Sequence, residues 1–419
     1  MGKFTGYRCS LCGTEYAPDE VTYTCPKDGG NLDVALDYDA IKTKYQPEDI
    51  LSRHDPSLWR YLPLLPVSKP AGEATPLHAS GGTPVFKLIS LAEKLDLQNL
   101  WLKDESKNPT ASFKDRASAV VVARAQEINA EIVVTASTGN AGAALAGMAA
   151  AVGQKAVIFA PKSAPQAKVA QLLIFGAKVI LVDGTYDDAF DLTIKCAEEF
   201  GWYCRNTGYN PFTAEGKKTA AFEIWEWWRG AHREFHKQVG EETDHKPLTV
   251  FVSVGDGNII SGIHKGFKDL VRLGWMARVP RIVGVQAEGS AAIANAFHGN
   301  TETITPVSAR TLADSISVDL PRDGVRAVKE TGGTYVNVSD DEILKAIAEL
   351  GRVGIFAEPA GAAAYAGLVK GAGSGMVGGE DPVLVLNTGS GLKDVRAAMQ
   401  AVVEAPIIEP DLEAVKKIL

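Results

Sequence analysis

Lys114 is the residue of this sequence with the clearest potential for covalent chemistry. It follows Ser112 and Phe113 in the segment 108–116, Asn-Pro-Thr-Ala-Ser-Phe-Lys-Asp-Arg, at a predicted helix start. A lysine attacks an aldehyde only after losing its proton, and burial and the positive end of a helix both lower its pKa. Taken alone, the lysine could also be an ordinary surface cation, since most lysines are exposed.

A turn of small polar residues follows the predicted strand 131–135. It contains Ser137, Thr138, Gly139 and Asn140. Backbone N–H groups and hydroxyls at the start of a helix can bind an anion. An ordinary helix N-cap explains one Ser or Asn but not the whole run, so the turn is a candidate anion site.

A glycine-rich loop, 255–259, lies between the predicted strand 248–254 and the predicted helix 259–272. Gly255 and Gly257 allow backbone N–H groups to approach a phosphate closely, and the helix dipole favours the negative charge. The loop has neither a Walker sequence nor the full dinucleotide-binding spacing. It therefore predicts phosphate binding of a different kind.

A fourth polar turn, 387–393, follows the predicted strand 382–387. The hydroxyl of Thr388 or Ser390 could hydrogen-bond a heterocyclic nitrogen, and a plain turn is the simpler alternative.

The four segments together, in this order, resemble the fold type II pyridoxal 5'-phosphate (PLP) enzymes over about residues 80 to 400. That group includes threonine synthase, threonine dehydratase and the tryptophan synthase β chain. The sequence is most similar to the threonine synthase family. The segments that carry this closer resemblance are 9–13, 112–115, 136–140, 168–172, 215–219 and 388–393.

The resemblance implies roles for individual residues. Lys114 would be the catalytic residue and form the Schiff-base link to PLP, and Asn140 would hydrogen-bond the phenolic oxygen of the ring. Thr388 would contact the pyridine nitrogen. A neutral hydroxyl at that position favours elimination over transamination. The cofactor phosphate would be bound by Gly255, Asp256, Gly257, Asn258 and Ile259. The implied substrate-binding residues are Ser137, Thr138, Gly139 and Lys168.

The implied reaction converts O-phospho-L-homoserine and water into L-threonine and phosphate. The loop 254–259 is one residue shorter than is usual in threonine synthases and resembles that of threonine dehydratases. The alternative is therefore a threonine ammonia-lyase, or a related PLP-dependent β-elimination or β-replacement enzyme similar to cysteate synthase. A non-enzymatic adaptor with the same fold is disfavoured by the intact Lys114.

Five cysteines are present, and three of them lie near the N-terminus. Cys9, Cys12 and Cys25 have zinc-ribbon spacing, but Asp28 stands where a fourth Cys is expected. Zinc accepts carboxylate oxygen as a ligand, although closed structural sites mostly use Cys and His. The sequence leaves open whether this unit binds zinc or folds without a metal, so PLP is the single cofactor predicted.

Short apolar strands alternate with Ala-rich helices, which predicts an α/β fold. With the resemblance, we expect two doubly wound parallel-sheet domains of the tryptophan synthase β type and a small N-terminal zinc-ribbon-like unit. The predicted division is a ribbon, 1–35; a connector, 36–80; a large PLP-binding domain, 81–117 and 216–405; a small α/β domain, 118–215; and a C-terminal tail, 406–419.

Composition limits the range of partners. The chain of 419 residues is 46% hydrophobic and has 43 basic and 51 acidic residues, for a net charge of −8. No basic run indicates nucleic acid, and no signal peptide or membrane span is evident. We therefore expect a cytoplasmic enzyme that acts on a small amino-acid substrate, without nucleic-acid or membrane partners. The family resemblance implies a homodimer.

Overall fold

The computed structural model of the chain describes residues 3–239, 246–318 and 324–418, without the side chains of residues 231–239. Three sheets and the helices that cover them make up this part. The strands are β1 (Phe4–Cys9), β2 (Glu15–Tyr16), β3 (Leu32–Leu36), β4 (Val85–Lys87), β5 (Leu100–Asp104), β6 (Ile132–Ala136), β7 (Lys155–Pro161), β8 (Lys178–Val182), β9 (Tyr203–Cys204), β10 (Thr249–Ser253), β11 (Arg281–Ala287), β12 (Tyr335–Val338) and β13 (Val383–Asn387).

Helices connect most of these strands and lie on both sides of the two larger sheets. They are α1 (Tyr38–Lys44), α2 (Pro47–Leu51), α3 (Ile89–Lys94), α4 (Lys114–Glu127), α5 (Asn140–Ala150), α6 (Gln166–Ile174), α7 (Tyr186–Phe200), α8 (Phe212–Lys217), α9 (Thr219–Val239), α10 (Asn258–Arg272), α11 (Ala292–His298), α12 (Val325–Lys329), α13 (Asp340–Arg352), α14 (Pro359–Gly373), α15 (Val395–Gln400) and α16 (Leu412–Lys416).

The largest sheet has the strand order β12-β11-β10-β13-β5-β4. All its neighbours pair in parallel except β4, which lies antiparallel to β5 at one edge. Every residue of β10 and β13 is buried, as expected for central strands covered by helices on both faces. The second sheet, β8-β7-β6-β9, is entirely parallel.

The predicted fold class, two doubly wound parallel sheets, is confirmed, with the antiparallel edge strand as an addition. The strands predicted at 131–135, 248–254 and 382–387 correspond to β6, β10 and β13. Strands β5 and β12 were not predicted. The predicted domain limits remain a prediction, which the grouping of strands 132–204 in one sheet supports.

The connector 36–80 contains α1, α2 and a 3-10 helix at Leu58–Leu64. After the Thr388 turn, Asp394 ends a short 3-10 turn and caps α15 through its side chain. Among the described residues, no helix combines the length and apolar character that a bilayer crossing requires.

The N-terminal unit is a three-stranded antiparallel sheet in the order β2-β1-β3. It packs against the rest of the chain through Phe4, whose ring meets Phe212 at a centroid distance of 5.7 Å. Tyr7 and Val34 of this sheet are buried in the same apolar core as α4 and α10. The unit is thus an integral part of the folded chain.

Candidate active site

Lys114 is the first residue of α4, and the backbone just before it is fixed to the Thr388 turn. The amide of Phe113 donates to the carbonyl of Thr388 at 2.9 Å, and Ser112 forms a bridge with Gly389. Two segments more than 250 residues apart in sequence are thereby placed side by side. The candidate nucleophile and the candidate ring-binding hydroxyl share one wall of a pocket.

A buried ion network anchors α4 one turn beyond the lysine. The guanidinium of Arg116 lies 2.7 Å from carboxylate oxygens of both Glu105 and Glu223, and Lys103 lies 2.7 Å from Glu223. All four side chains are buried. Because removing one partner would leave an uncompensated buried charge, the network fixes the position of α4 and of Lys114.

The pocket lies beyond the carboxyl ends of the central strands and encloses about 410 Å³ of empty space, part of it open to solvent. Its lining comes from six separate stretches of the chain. These are Phe113 and Lys114; Asn140; Ser253, Val254, Gly255, Asp256, Gly257, Ile259 and Ile260; Ser315 and Ile316; Glu358 and Ala360; and Thr388.

The electrostatics of this pocket make Lys114 easier to deprotonate than an ordinary lysine. Burial lowers the pKa of Lys114, while the carboxylate of Asp256 opposes that shift. The pKa of Asp256 is itself lowered on balance, because Lys114 and Lys217 outweigh the cost of burying its charge. Burial also lowers the pKa of Arg205 to about 10. Several positively charged groups therefore lie near the carboxylate of Asp256, as is common at functional sites.

The loop 255–259 ends at the N-terminus of α10. Gly257 is the N-cap and has φ +82, a left-handed conformation that side chains other than glycine rarely adopt. The carboxylate of Asp256 accepts from the amide of Asn258 at 2.9 Å. The fifteen-residue helix α10 begins at the pocket, because Gly257, Ile259 and Ile260 line it, and helix N-termini favour anions.

Asn140 and Glu358 meet across the pocket. The amide nitrogen of Asn140 donates to both carboxylate oxygens of Glu358 at 2.9 Å. Burial raises the pKa of Glu358, and the hydrogen bond from Asn140 and the charge of Lys114 oppose this. Asn140 opens α5, and Glu358 precedes Pro359, the first residue of α14. The two helix starts are held together at the centre of the site.

A second pocket adjoins the first, because Asn140, Glu358 and Ala360 line both. It contains two lysines. The ammonium of Lys168 lies 2.6 Å from Asp314, and that of Lys393 lies 3.1 Å from the side-chain oxygen of Gln171. The remaining lining residues include Thr138, Gly139, Ala167, Ser315, Pro359, Leu392 and Asp394. The pocket thus offers cations and hydroxyls next to the Lys114 site.

Most of the residues that the sequence nominated for the site lie at these two pockets. Lys114, Asn140, Gly255, Asp256, Gly257, Ile259 and Thr388 line the first, and Thr138, Gly139, Asn140 and Lys168 line the second. Asn258 and Ser137 line neither pocket in the described ranges. Asn258 instead begins α10, and the backbone of Ser137 bonds to Phe159 at 3.0 Å.

The sequence did not predict Ser253, Arg205, Glu358 or Lys393 as site residues. Lys393 stood in the segment 388–393, which carries the family resemblance, so a search of that segment for charged residues would have found it. Ser253 and Arg205 follow apolar strand residues and carry no such signal.

Comparison with known proteins agrees with this geometry. Residues 77–389 match the family of pyridoxal-phosphate dependent enzymes. The chain belongs to this family. The predicted cofactor, pyridoxal phosphate, and the predicted fold type II resemblance are therefore confirmed.

Relatives of this PLP enzyme cover nearly its whole length. It is 38% identical to the threonine synthase of Methanocaldococcus jannaschii, over 98% of both chains. It is 37% identical to the threonine synthase of Methanosarcina acetivorans, over 98% of this chain and 97% of that one. The predicted similarity to the threonine synthase family is thus confirmed.

Solved structures share the fold at lower identity. The processed form of threonine deaminase isoform 2 from Solanum lycopersicum superposes with a TM-score of 0.64 and 23% identity, over 80% of this chain and 96% of that one. Diaminopropionate ammonia lyase from Escherichia coli gives a TM-score of 0.65 and 20% identity, over 85% of this chain and 93% of that one. At this identity the likeness supports the fold alone.

The residues of the first pocket fit a phosphorylated pyridine cofactor. The hydroxyl of Ser253 is buried at the pocket wall and has no hydrogen-bond partner among the described residues. Buried hydroxyls are nearly always hydrogen-bonded, so Ser253 suits an acceptor such as a phosphate oxygen. The left-handed Gly257 and the start of α10 supply further donors on the same side.

Proposed function

We propose that this enzyme converts O-phospho-L-homoserine and water into L-threonine and phosphate, the reaction that gives threonine synthases their name. The observation that carries the proposal is the full-length match to two archaeal threonine synthases at 38% and 37% identity. The second pocket supports it, because a phosphorylated substrate needs local cations in a protein whose net charge is −8.

Pyridoxal phosphate, when bound, supplies an electron sink that stabilises negative charge on the substrate carbon atoms. We assign to Lys114 the covalent attachment of the cofactor, since it is the buried lysine at the pocket and burial lowers its pKa. The same amine, once released, is placed to move protons at the α, β and γ carbons of the substrate.

Other residues of the first pocket would hold and orient the cofactor. Loop 255–259 and Ser253 would bind its phosphate through backbone N–H groups and a hydroxyl. Thr388 would contact the ring nitrogen as a neutral hydroxyl, which favours elimination over transamination. Asn140 would turn from Glu358 toward the phenolic oxygen of the ring. The positions of all these residues at one pocket support the assignments.

We assign binding of the substrate phosphate to the second pocket. Lys168 and Lys393 are its two ammonium groups, and Thr138 and Gly139 begin the turn that leads into α5. Burial lowers the pKa of Lys393, while Asp115 and Glu358 oppose that shift and favour its charged form. A phosphate bound here would accept hydrogen bonds from these two ammonium groups. Ser137 does not line the pocket in the described ranges and its amide bonds to Phe159, so it would support the turn without contacting the substrate.

Product analysis tests the proposed reaction. The purified enzyme is offered O-phospho-L-homoserine, L-threonine and O-phospho-L-serine separately, and phosphate, threonine, ammonia and 2-oxo acids are measured. We expect equal amounts of phosphate and threonine from phosphohomoserine. Ammonia and 2-oxobutyrate from threonine, with no phosphate from phosphohomoserine, would instead establish the threonine ammonia-lyase alternative.

We further infer from the family resemblance that the enzyme acts as a homodimer in the cytoplasm. Size-exclusion chromatography with light scattering measures the assembly, and a mass of one chain would exclude the dimer. Fractionation of cells that express the chain tests the cellular location.

A further inference from the structure

Four candidate metal ligands of the N-terminal unit converge on one point. They are Cys9, Cys12, Cys25 and Asp28, and their ligand atoms all lie within 4.8 Å of one another. Cys9 and Cys25 are buried, whereas Cys12 and Asp28 face solvent. All three cysteines are free thiols. We propose that this cluster is a structural zinc site with three thiolate ligands and one carboxylate ligand.

The distances match a tetrahedral zinc site. With Zn–S bonds of about 2.3 Å, the sulfur atoms of a tetrahedron are about 3.8 Å apart, and a carboxylate oxygen is about 3.5 Å from each sulfur. The sulfur atoms of Cys12 and Cys25 are 3.7 Å apart. The sulfur of Cys9 is 3.3 and 3.6 Å from the two carboxylate oxygens of Asp28. The ligands therefore stand close to the spacing that the ion requires.

Two equivalent turns supply the ligands. In each, the first and fourth residues are ligands and the fifth is a glycine with φ +70, Gly13 in one and Gly29 in the other. The amide of Gly13 donates to the carbonyl of Cys9 at 3.1 Å, and that of Gly29 to the carbonyl of Cys25 at 2.8 Å. Asp28 thus occupies in the second turn the place of Cys12 in the first.

Each ligand atom has a hydrogen-bond partner within the unit. The amide of Leu11 donates to the sulfur of Cys9 at 3.4 Å, and the thiol of Cys12 donates to the hydroxyl of Thr14 at 3.2 Å. The hydroxyl of Tyr16 lies 3.0 Å from the sulfur of Cys25, and the amide of Gly30 donates to Asp28 at 2.8 Å. Donors of this kind stabilise thiolates and orient metal ligands.

The site also stabilises the fold. The N-terminal unit contacts the parts of the chain that form each of the two larger sheets. The hydroxyl of Tyr23 accepts from the amide of Cys204, the residue before Arg205, at 2.9 Å. On the other side, Arg326 donates to the carbonyl of Ser10, inside the first ligand turn, at 3.0 Å. With four protein ligands and no open position, the ion serves structure rather than catalysis.

Metal analysis of the purified full-length holoenzyme tests the proposal. We expect about one zinc ion per chain in the wild type, and much less in Cys12→Ser and Asp28→Ala, whose positions are exposed and tolerate change. Cys196→Ser and Asp19→Asn are the matched controls, since both residues lie outside the cluster, and they should keep the metal. Asp28→Cys should also keep it, because thiolate is a preferred zinc ligand.

Two further measurements separate a bound ion from a contaminant. Cobalt in place of zinc should give visible d–d bands at longer wavelength than the cofactor absorbs, and these should move in Asp28→Cys because the ligand set changes. Removing the metal with a chelator should lower the Tm, and zinc should restore it. A metal-free wild type with a Cys12–Cys25 disulfide, or equal metal in wild type and Asp28→Ala, would overturn the proposal. Iron in place of zinc would overturn the choice of ion.

Discussion

The side chain of Asn140 donates to both carboxylate oxygens of Glu358 at 2.9 Å, and this contact joins the starts of α5 and α14 at the centre of the active site. The pair occupies the wall that both pockets share. A cofactor that takes the amide of Asn140 as a hydrogen-bond partner must draw it away from Glu358. The carboxylate of Glu358 therefore competes with the cofactor for the hydrogen bonds of the Asn140 amide.

Glu358→Gln should raise the thermal stability of the cofactor-free enzyme at neutral pH. Burial raises the pKa of Glu358, so the folded protein holds this proton more tightly than the unfolded chain does. The wild type therefore bears the cost of a buried charge above the folded pKa, and this cost disappears as the pH falls toward the ordinary carboxyl range. Glutamine keeps an oxygen that accepts from Asn140.

The measurement is the Tm of both proteins from about pH 5 to about pH 8. The advantage of Glu358→Gln should be greatest at the high end and shrink toward the low end. Glu131→Gln, at an exposed position beside Lys155, is the control. An advantage of Glu358→Gln that grew as the pH fell would contradict the raised pKa.

Lys114→Ala should abolish covalent attachment of the cofactor while the protein still folds. The side chain contributes no ion pair to the network of Arg116, Glu105 and Glu223 that anchors α4. Borohydride reduction followed by peptide mass spectrometry locates the attached cofactor. Lys107→Ala, a nearby exposed lysine, should behave like the wild type. Cofactor fixed covalently in Lys114→Ala would show that another lysine is the attachment site.

Gly257→Val should weaken pyridoxal phosphate binding by about 10- to 100-fold, the equivalent of one lost charge-assisted hydrogen bond. The residue has φ +82 and caps α10, so a β-branched side chain both strains the loop and blocks close approach of a phosphate. Titration followed by fluorescence measures the dissociation constant.

Gly274→Val is the matched control for strain. Gly274 has φ +75 and no atom within 4 Å of an added Cβ, so the substitution strains the backbone without touching the pocket. We expect both variants to lose stability but only Gly257→Val to lose cofactor affinity. Equal cofactor affinity in Gly257→Val and the wild type would place the phosphate elsewhere.

The sequence predicted the central architecture because buried parallel strands are continuous apolar runs, as in β10 and β13. It missed β5, whose residues Lys103 and Asp104 break the apolar pattern. Both are buried, and Lys103 pairs with Glu223, which comes from a distant helix. Strand propensity and hydrophobic periodicity depend on residues that are neighbours in sequence. They therefore do not predict a strand that is stabilised by an ion pair with a distant residue.

The same distinction separates the predicted and the missed site residues. Lys114, Asn140 and Thr388 stood in turns with a recognisable composition, and the structure places all three at one pocket. Arg205 had no such signal, because its place depends on β6, with whose Val134 carbonyl its amide bonds at 2.7 Å. Asn258 was predicted from the loop pattern, but it begins α10, bonds through its amide to Asp256 and does not line the pocket.

Lys393→Ala and Lys168→Ala should each reduce kcat/KM for O-phospho-L-homoserine by about 10- to 100-fold, the loss expected for one charge-assisted hydrogen bond. Both ammonium groups line the second pocket, and neither lines the first. Affinity for pyridoxal phosphate should therefore change little. Lys393 should show the larger effect, because Lys168 already pairs with Asp314 at 2.6 Å, whereas Lys393 bonds only the neutral Gln171 among the described side chains.

Initial rates of phosphate release over a range of substrate concentrations, together with cofactor titrations, measure both quantities. Lys162→Ala is the control, since this lysine precedes α6 and pairs with Asp183 at an exposed position. Added inorganic phosphate should inhibit the wild type more strongly than either pocket variant, because product and substrate phosphate occupy the same cations. The opposite result would be a loss of cofactor affinity with an unchanged KM for phosphohomoserine. It would show that the second pocket binds the cofactor and does not bind the substrate phosphate.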